Sequence, residues 1–195
     1  MRRLAVLAMV GSLAVSLASC SSSPSRFYTL SATATPGPAT SRLSVAVGPV
    51  SIPAAVDRPQ IVVSSSANQV SLDDFNRWAS PLQDNLARVV ADNLVALLGT
   101  SKVTLFPPGL TTDMDYRVTI EVRNFESMPG KSAALDAVWT VRRMKDGKTE
   151  TGRTSVREST DDGSFEALAA AHSRGITKLS QDVADAIRGF ERGAS

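Results

Sequence analysis

One cysteine and one histidine occur in 195 residues, and these two scarcities exclude most site chemistry at the outset. A single Cys forms no internal disulfide and no Cys-based zinc site, and a single His supplies no His-paired metal site. The chain also lacks a P-loop, a G-x-G-x-x-G turn, an H-E-x-x-H pair and a G-x-S-x-G elbow. No metal and no cofactor are therefore expected. Beyond residue 20 no apolar run approaches the roughly 20 residues that a helix needs to cross a bilayer. What the chain does have is 43% hydrophobic and 21% charged residues, enough apolar surface to offset the ordering of a single core.

The amino terminus is more specific. Met1-Arg2-Arg3 is a short basic start, and Leu4 to Leu17 is an apolar run too short for a stable span, so residues 1–19 read as a secretory signal. The run ends in Leu17-Ala18-Ser19-Cys20, which resembles the lipobox of bacterial lipoproteins. There the small residues admit the peptidase, and the thiol is the nucleophile that forms a thioether with a diacylglyceryl group. Cys20 is the expected lipidation site, and residues 20–25 are its tether. Ser21 follows in place of the Asp that typically retains such proteins at the inner membrane, which favours the outer membrane. Of the 21 basic residues, Arg2 and Arg3 fall in the signal, so the remainder carries 19 basic and 19 acidic side chains. A neutral domain without a basic cluster gives no reason to expect a nucleic-acid partner.

Residues 26–195 are expected to form one domain. Arg26 to Leu30 is a short strand candidate, and Ser31 to Ser41 reads as a flexible loop of small and polar residues. Leu43, Val45 and Val47 alternate with small residues in a strand expected to stop at Gly48-Pro49, before a bent segment from Val50 to Pro59. Ile61 to Val63 and Val70 to Leu72 suggest a hairpin with a loose tip. Ser80-Pro81-Leu82-Gln83 predicts a helix start with Ser80 as cap, and Gly99 predicts its end. Lys102 to Phe106 forms a brief strand. Tyr116, Val118, Ile120 and Val122 alternate with polar residues, as do Leu135, Ala137, Trp139 and Val141. Asp146-Gly147 then turns into the polar strand Thr149 to Glu158, suited to a sheet edge. A last helix from Ser164 aligns Phe165, Leu168, His172, Ile176, Leu179, Val183, Ile187 and Phe190, leaving Asp182, Asp185 and Arg188 to water. The sum is an α+β two-layer sandwich of a largely antiparallel sheet packed by two amphipathic helices.

Catalysis finds little support. His172 lies on an apolar stripe, and its neighbour Ser173 points to a different helix face, so the imidazole reads as a packing residue with a hydrogen-bonded tip. Asp73-Asp74 and Asp161-Asp162 read as residues near helix starts that complement the dipole. No catalytic residue is assigned. Asp57, Arg58 and Gln60, just ahead of a strand, and Arg77 and Trp78, just ahead of the first helix, are the candidate partner-binding residues. Alternatively, the charges mark a surface turn and Trp78 anchors the core.

Tyr28-Thr29-Leu30, Val47 to Pro53, Asp57 to Val62 and Asn76 to Leu82 together resemble the PqiC/YmbA family of ABC-type transport auxiliary lipoproteins. The resemblance implies a non-catalytic, outer-membrane-anchored lipoprotein on the periplasmic side of a Gram-negative envelope. Its implied partners are an MCE-family periplasmic tunnel protein and, through it, an inner-membrane component. The role implied is intermembrane lipid transport and envelope integrity, with membrane lipid met through the acyl anchor and a homo-oligomer left open. An outer-membrane assembly or plug lipoprotein serving a β-barrel shares most of these features, and an envelope hydrolase is the remaining alternative.

Overall fold

The computed structural model of the protein describes residues 24–37, 41–107 and 114–193; Cys20 and the signal segment lie outside the described residues. The alternation seen in the sequence builds the larger sheet. Tyr116–Met128 (β6), Ser132–Arg143 (β7) and Thr149–Ser159 (β8) form an antiparallel meander with Tyr116 opposite Arg143 and Leu135 opposite Val156. Val45–Ser51 (β2) pairs in parallel with the free side of β6, and Val103–Leu105 (β5) in parallel with β2. The order is β5-β2-β6-β7-β8, which leaves the polar β8 at an edge as expected.

One face of this sheet is apolar and covered by both helices. Leu82–Leu98 (α1) lies over β2 and β5, Phe165–Arg192 (α2) lies over β6, β7 and β8, and the two helices pack on each other. A smaller sheet of Arg26–Tyr28 (β1), Gln69–Trp78 (β4) and Gln60–Ser66 (β3), in the order β1-β4-β3, stands beside it with β3 against β6. The predicted α+β layers are therefore present, with the sheet divided in two. Among the described residues no helix is long and apolar enough to cross a membrane.

Several local expectations change. β2 does not stop at Gly48-Pro49: it shifts register between Val47 and Val50 and continues to Ser51, with Gly48 at φ +126° beside Phe106. The β3–β4 hairpin is tight, with Ser66 opposite Gln69, and β4 runs on to Trp78 because β1 pairs with its far end in parallel. Ser80 does not cap α1; its hydroxyl accepts from Asn85 Nδ2 at 3.2 Å, and Pro81 occupies the cap position. Gly99 closes α1 in the left-handed conformation, and Ser164 caps α2 by accepting from the Ala167 N–H. Asp73 lies within β4, accepting from the Phe75 and Asn76 N–H groups at 2.8 and 3.0 Å, and is not near a helix start. Asp182 and Arg188 are partly covered: Asp182 accepts from Thr154 Oγ1 at 2.6 Å, and Arg188 donates to the Leu97 carbonyl.

The largest change concerns the segment expected to be a flexible loop. Residues 30–37 lie across the seam between the helices as a strap. The Leu30 N–H donates to Asn85 Oδ1 (3.2 Å), Ser31 N–H to Ser173 Oγ (3.1 Å), and Thr33 and Ala34 N–H both to Asn93 Oδ1 (3.1 and 3.0 Å). Thr33 and Thr177 hydroxyls meet at 2.7 Å, and Gly37 N–H donates to the Ala96 carbonyl at 3.0 Å. Asn93 is fully buried, and its amide also donates to Thr177 and Ser180 on α2. One side chain thus satisfies two strap donors and ties α1 to α2. A strap without internal secondary structure needs such partners, because an unpaired buried N–H costs about as much as a lost hydrogen bond.

Asn93→Ala is expected to lower the unfolding free energy by about 3 kcal/mol and to speed amide exchange at Thr33 and Ala34. Urea denaturation and hydrogen exchange measure the two effects.

Candidate functional site

The segment after β2 curls through two backbone bonds, Val56 N–H to the Pro53 carbonyl and Arg58 N–H to the Val56 carbonyl (3.0 and 2.9 Å). It is then fixed to the end of β4, where the Trp78 N–H donates to the Pro59 carbonyl at 2.7 Å. The next amide, Ala79 N–H, donates to the Tyr28 carbonyl at 2.8 Å. Three pieces of chain distant in sequence, ending β1, preceding β3 and ending β4, are thereby locked together at the start of α1.

A cavity of about 390 Å³ opens at this junction, lined by Asp57, Arg58, Pro59 and the run Trp78 to Leu82. Trp78 and Leu82 are buried and form its floor, while Asp57 and Arg58 are exposed on its rim. The Trp78 ring meets Phe125 of β6 edge-on at a centroid distance of 6.3 Å, so the floor is continuous with the core. Gln60 and Arg77 are cross-strand partners directly beside the cavity, and Arg77 Nε is buried without a hydrogen-bond partner. Asp57, Arg58 and Trp78 are thus brought to one cavity, with Gln60 and Arg77 adjoining. Trp78 serves the core as well, and only its cavity-facing edge is open to a ligand. A rigid apolar floor with one acid and one base on its rim suits the binding of an apolar side chain on a peptide. The cavity's one side-chain hydroxyl, Ser80 Oγ, accepts from Asn85 Nδ2. Cys20, the lipidation candidate, lies outside the described residues.

The histidine finds a partner that the sequence did not suggest. His172 Nε2 and Ser127 Oγ are 2.7 Å apart, with the imidazole stacked on Phe125 at 3.8 Å and 7°. Both side chains are buried, at 1% and 2% exposure, and His172 Nδ1 has no hydrogen-bond partner. A hydrolytic dyad needs an orienting group on that nitrogen and access for substrate. Burial lowers the His172 pKa from the usual 6.5 to about 3, so the ring is neutral at physiological pH. Among the described residues no group of three or more His, Cys, Asp or Glu side chains is placed to hold a metal.

A second cavity, of about 610 Å³, lies at the start of β6 between Tyr116, Arg143 and Glu191. Burial, with Glu191 accepting its hydroxyl proton at 2.5 Å, raises the Tyr116 pKa above its ordinary value and keeps the phenol protonated. Arg143 is held by Asp146, at 2.6 Å, whose carboxyl that guanidinium lowers to about 2.

The sequence pattern of the family described as ABC-type transport auxiliary lipoprotein component matches residues 28–184. No curated protein matches the chain. Among solved structures, a Xanthomonas campestris protein of the family DUF330 aligns with a TM-score of 0.70 at 20% identity, over 87% of this chain and 100% of its own. A second, uncharacterised protein aligns with a TM-score of 0.69 at 17% identity, over 85% of this chain and 99% of its own. At these identities the likeness establishes the fold.

A histidine that cannot ionise in the native state but does so when unfolded lets the unfolded state bind the extra proton. Its stabilising contribution is full above about pH 6.5 and falls as pH drops toward 3. Between about pH 6.5 and 4.5, unfolding free energy is expected to decline with a slope approaching about 1.4 kcal/mol per pH unit, and His172→Gln is expected to flatten it. Chemical denaturation across that window measures both slopes.

Proposed function

The chain belongs to the ABC-type transport auxiliary lipoprotein family, and on that premise we propose that it is a non-catalytic, outer-membrane-anchored component of an MCE-type lipid transport system. In this reading Cys20 carries the acyl chains, and Ser21 at the following position leaves the protein free to reach the outer membrane. The domain stands in the periplasm and docks a periplasm-spanning MCE protein. An inner-membrane component supplies the other end of the bridge.

The observation that carries the reading is the meeting of Asp57, Arg58 and Trp78 around one cavity. Two of the segments that resemble the family in sequence, Asp57 to Val62 and Asn76 to Leu82, come together there through the Trp78 to Pro59 backbone bond. The cavity has the character of a docking pocket: an apolar floor accepts one anchoring side chain, and the Asp57 and Arg58 rim fixes its orientation. Attachment to a surface raises the local concentration of the domain, so a small contact suffices for occupancy.

A photo-crosslinking residue at Arg58, activated in the intact envelope and followed by mass spectrometry, is expected to recover an MCE protein, with Thr151 as a labelled control position that recovers none. Recovery of a β-barrel protein alone would replace this reading with that of an assembly or plug lipoprotein.

A further inference from the structure

The smaller sheet carries an apolar surface that the fold does not use. Phe27 on β1 is 63% exposed, and Val70, Leu72 and Phe75 on β4 are 61%, 46% and 46% exposed. The tip half of the hairpin, which holds Val70 and Leu72, is also uncharged: from Gln60 to Leu72 there is no Asp, Glu, Lys or Arg, in a chain where 21% of residues are charged. β3 is an edge strand whose burial fades from Ile61 toward the tip. A protruding edge without charge or proline is a surface that proteins normally guard unless something covers it.

The topology says what lies at that end. β1 runs parallel to β4, with Arg26 opposite Asn76, so the chain enters β1 from the side of the hairpin tip. β4 bulges between Leu72 and Arg77, so the distance is read on β3: from Gln60 opposite Arg77 to Ser66 opposite Gln69 is six residues, or about 20 Å of strand. From Arg26 back to Cys20 is six residues, which span at most about 22 Å however they are arranged. A tether of that length is long enough for the anchor point to come level with the hairpin tip.

We infer that the β3–β4 hairpin is a second membrane contact, seating Val70 and Leu72 in the headgroup region of the leaflet that holds the acyl chains. This rests on the anchoring at Cys20 proposed above. The uncharged tip costs little to place there, and Asp73 and Asp74, the first charges along β4, lie behind it on the water side of the headgroups. Joining a protein contact to a lipid anchor also fixes orientation, which an acyl chain on a short tether does not do alone.

The test uses the acylated full-length protein in vesicles of phosphatidylethanolamine and phosphatidylglycerol. Once Cys20 is a thioether, an introduced cysteine is the sole free thiol, so Val70→Cys and Leu72→Cys can each carry a nitrobenzoxadiazole label, with Thr151→Cys on β8 as control. Labels at 70 and 72 are expected to be quenched at least about threefold more than at 151 by a doxyl group near the lipid headgroup, and to resist iodide. Quenching by iodide at 70 and 72 equal to that at 151, in protein whose mass shows acylation, would overturn the hairpin contact and leave the anchor standing. Protection from iodide without quenching by the lipid would assign the surface to a second copy of the chain and also overturn it. A mass showing unmodified Cys20 would overturn the anchoring reading, and this contact with it.

Discussion

The structure depends on a polar seam between its two helices. Asn85 and Asn93 on α1 and Ser173, Thr177 and Ser180 on α2 are buried positions, and together they hold the strap that joins β1 to β2. The strap has no ladder of its own, so the N–H groups of Leu30, Ser31, Thr33 and Ala34 depend on these side chains, while that of Gly37 donates to the Ala96 carbonyl. Apolar residues in their place would pack the helices adequately yet leave the strap unpaired. The seam thus makes the segment that follows β1 part of the core in place of a loose loop.

That connection gives the domain two ends. β4 runs from the uncharged hairpin tip at Gln69 to the cavity floor at Trp78, and β1 lies beside its far end. The chain enters β1 at Arg26 from the side of the tip, while the cavity with Asp57 and Arg58 opens at the other end of the strand. A single strand therefore separates the side proposed to face the anchor from the side proposed to face the partner. For a protein proposed to hold a periplasm-spanning assembly near a membrane, such a separation would keep the Trp78 cavity clear of the lipid without a long linker.

Elements with a strong period were legible in the sequence. Tyr116, Val118, Ile120 and Val122 alternate and line one buried face, and the stripe from Leu168 to Ile187 is the buried face of α2, with Phe165 and Phe190 half-buried at its ends. Ser164 and Gly99 mark helix ends for local reasons that a sequence displays directly. Non-local pairings were not legible. β4 extends to Trp78 because β1, some fifty residues earlier, pairs with it, and Ser80 turns to Asn85 in place of capping α1. The strap composition, rich in Ser, Thr, Ala and Pro, is that of a mobile loop; the one available signal was Asn93 among Leu86, Val89, Val90 and Leu94 on an otherwise apolar face. At the cavity, the individual residues Asp57, Arg58 and Trp78 could be singled out. Their meeting depends on a backbone bond between Pro59 and Trp78 that leaves no trace in either segment.

The central claim is that a partner of the MCE class docks at the Trp78 cavity through its charged rim. The most direct measurement is the dissociation constant between the purified domain and that partner, for the natural chain and for a double variant with Asp57→Lys and Arg58→Glu. Both positions are exposed, so the fold and melting midpoint are expected to be unchanged, while reversing the rim charges weakens binding by about tenfold or more. Equal affinity for the two proteins, each folded and monodisperse, would contradict the account.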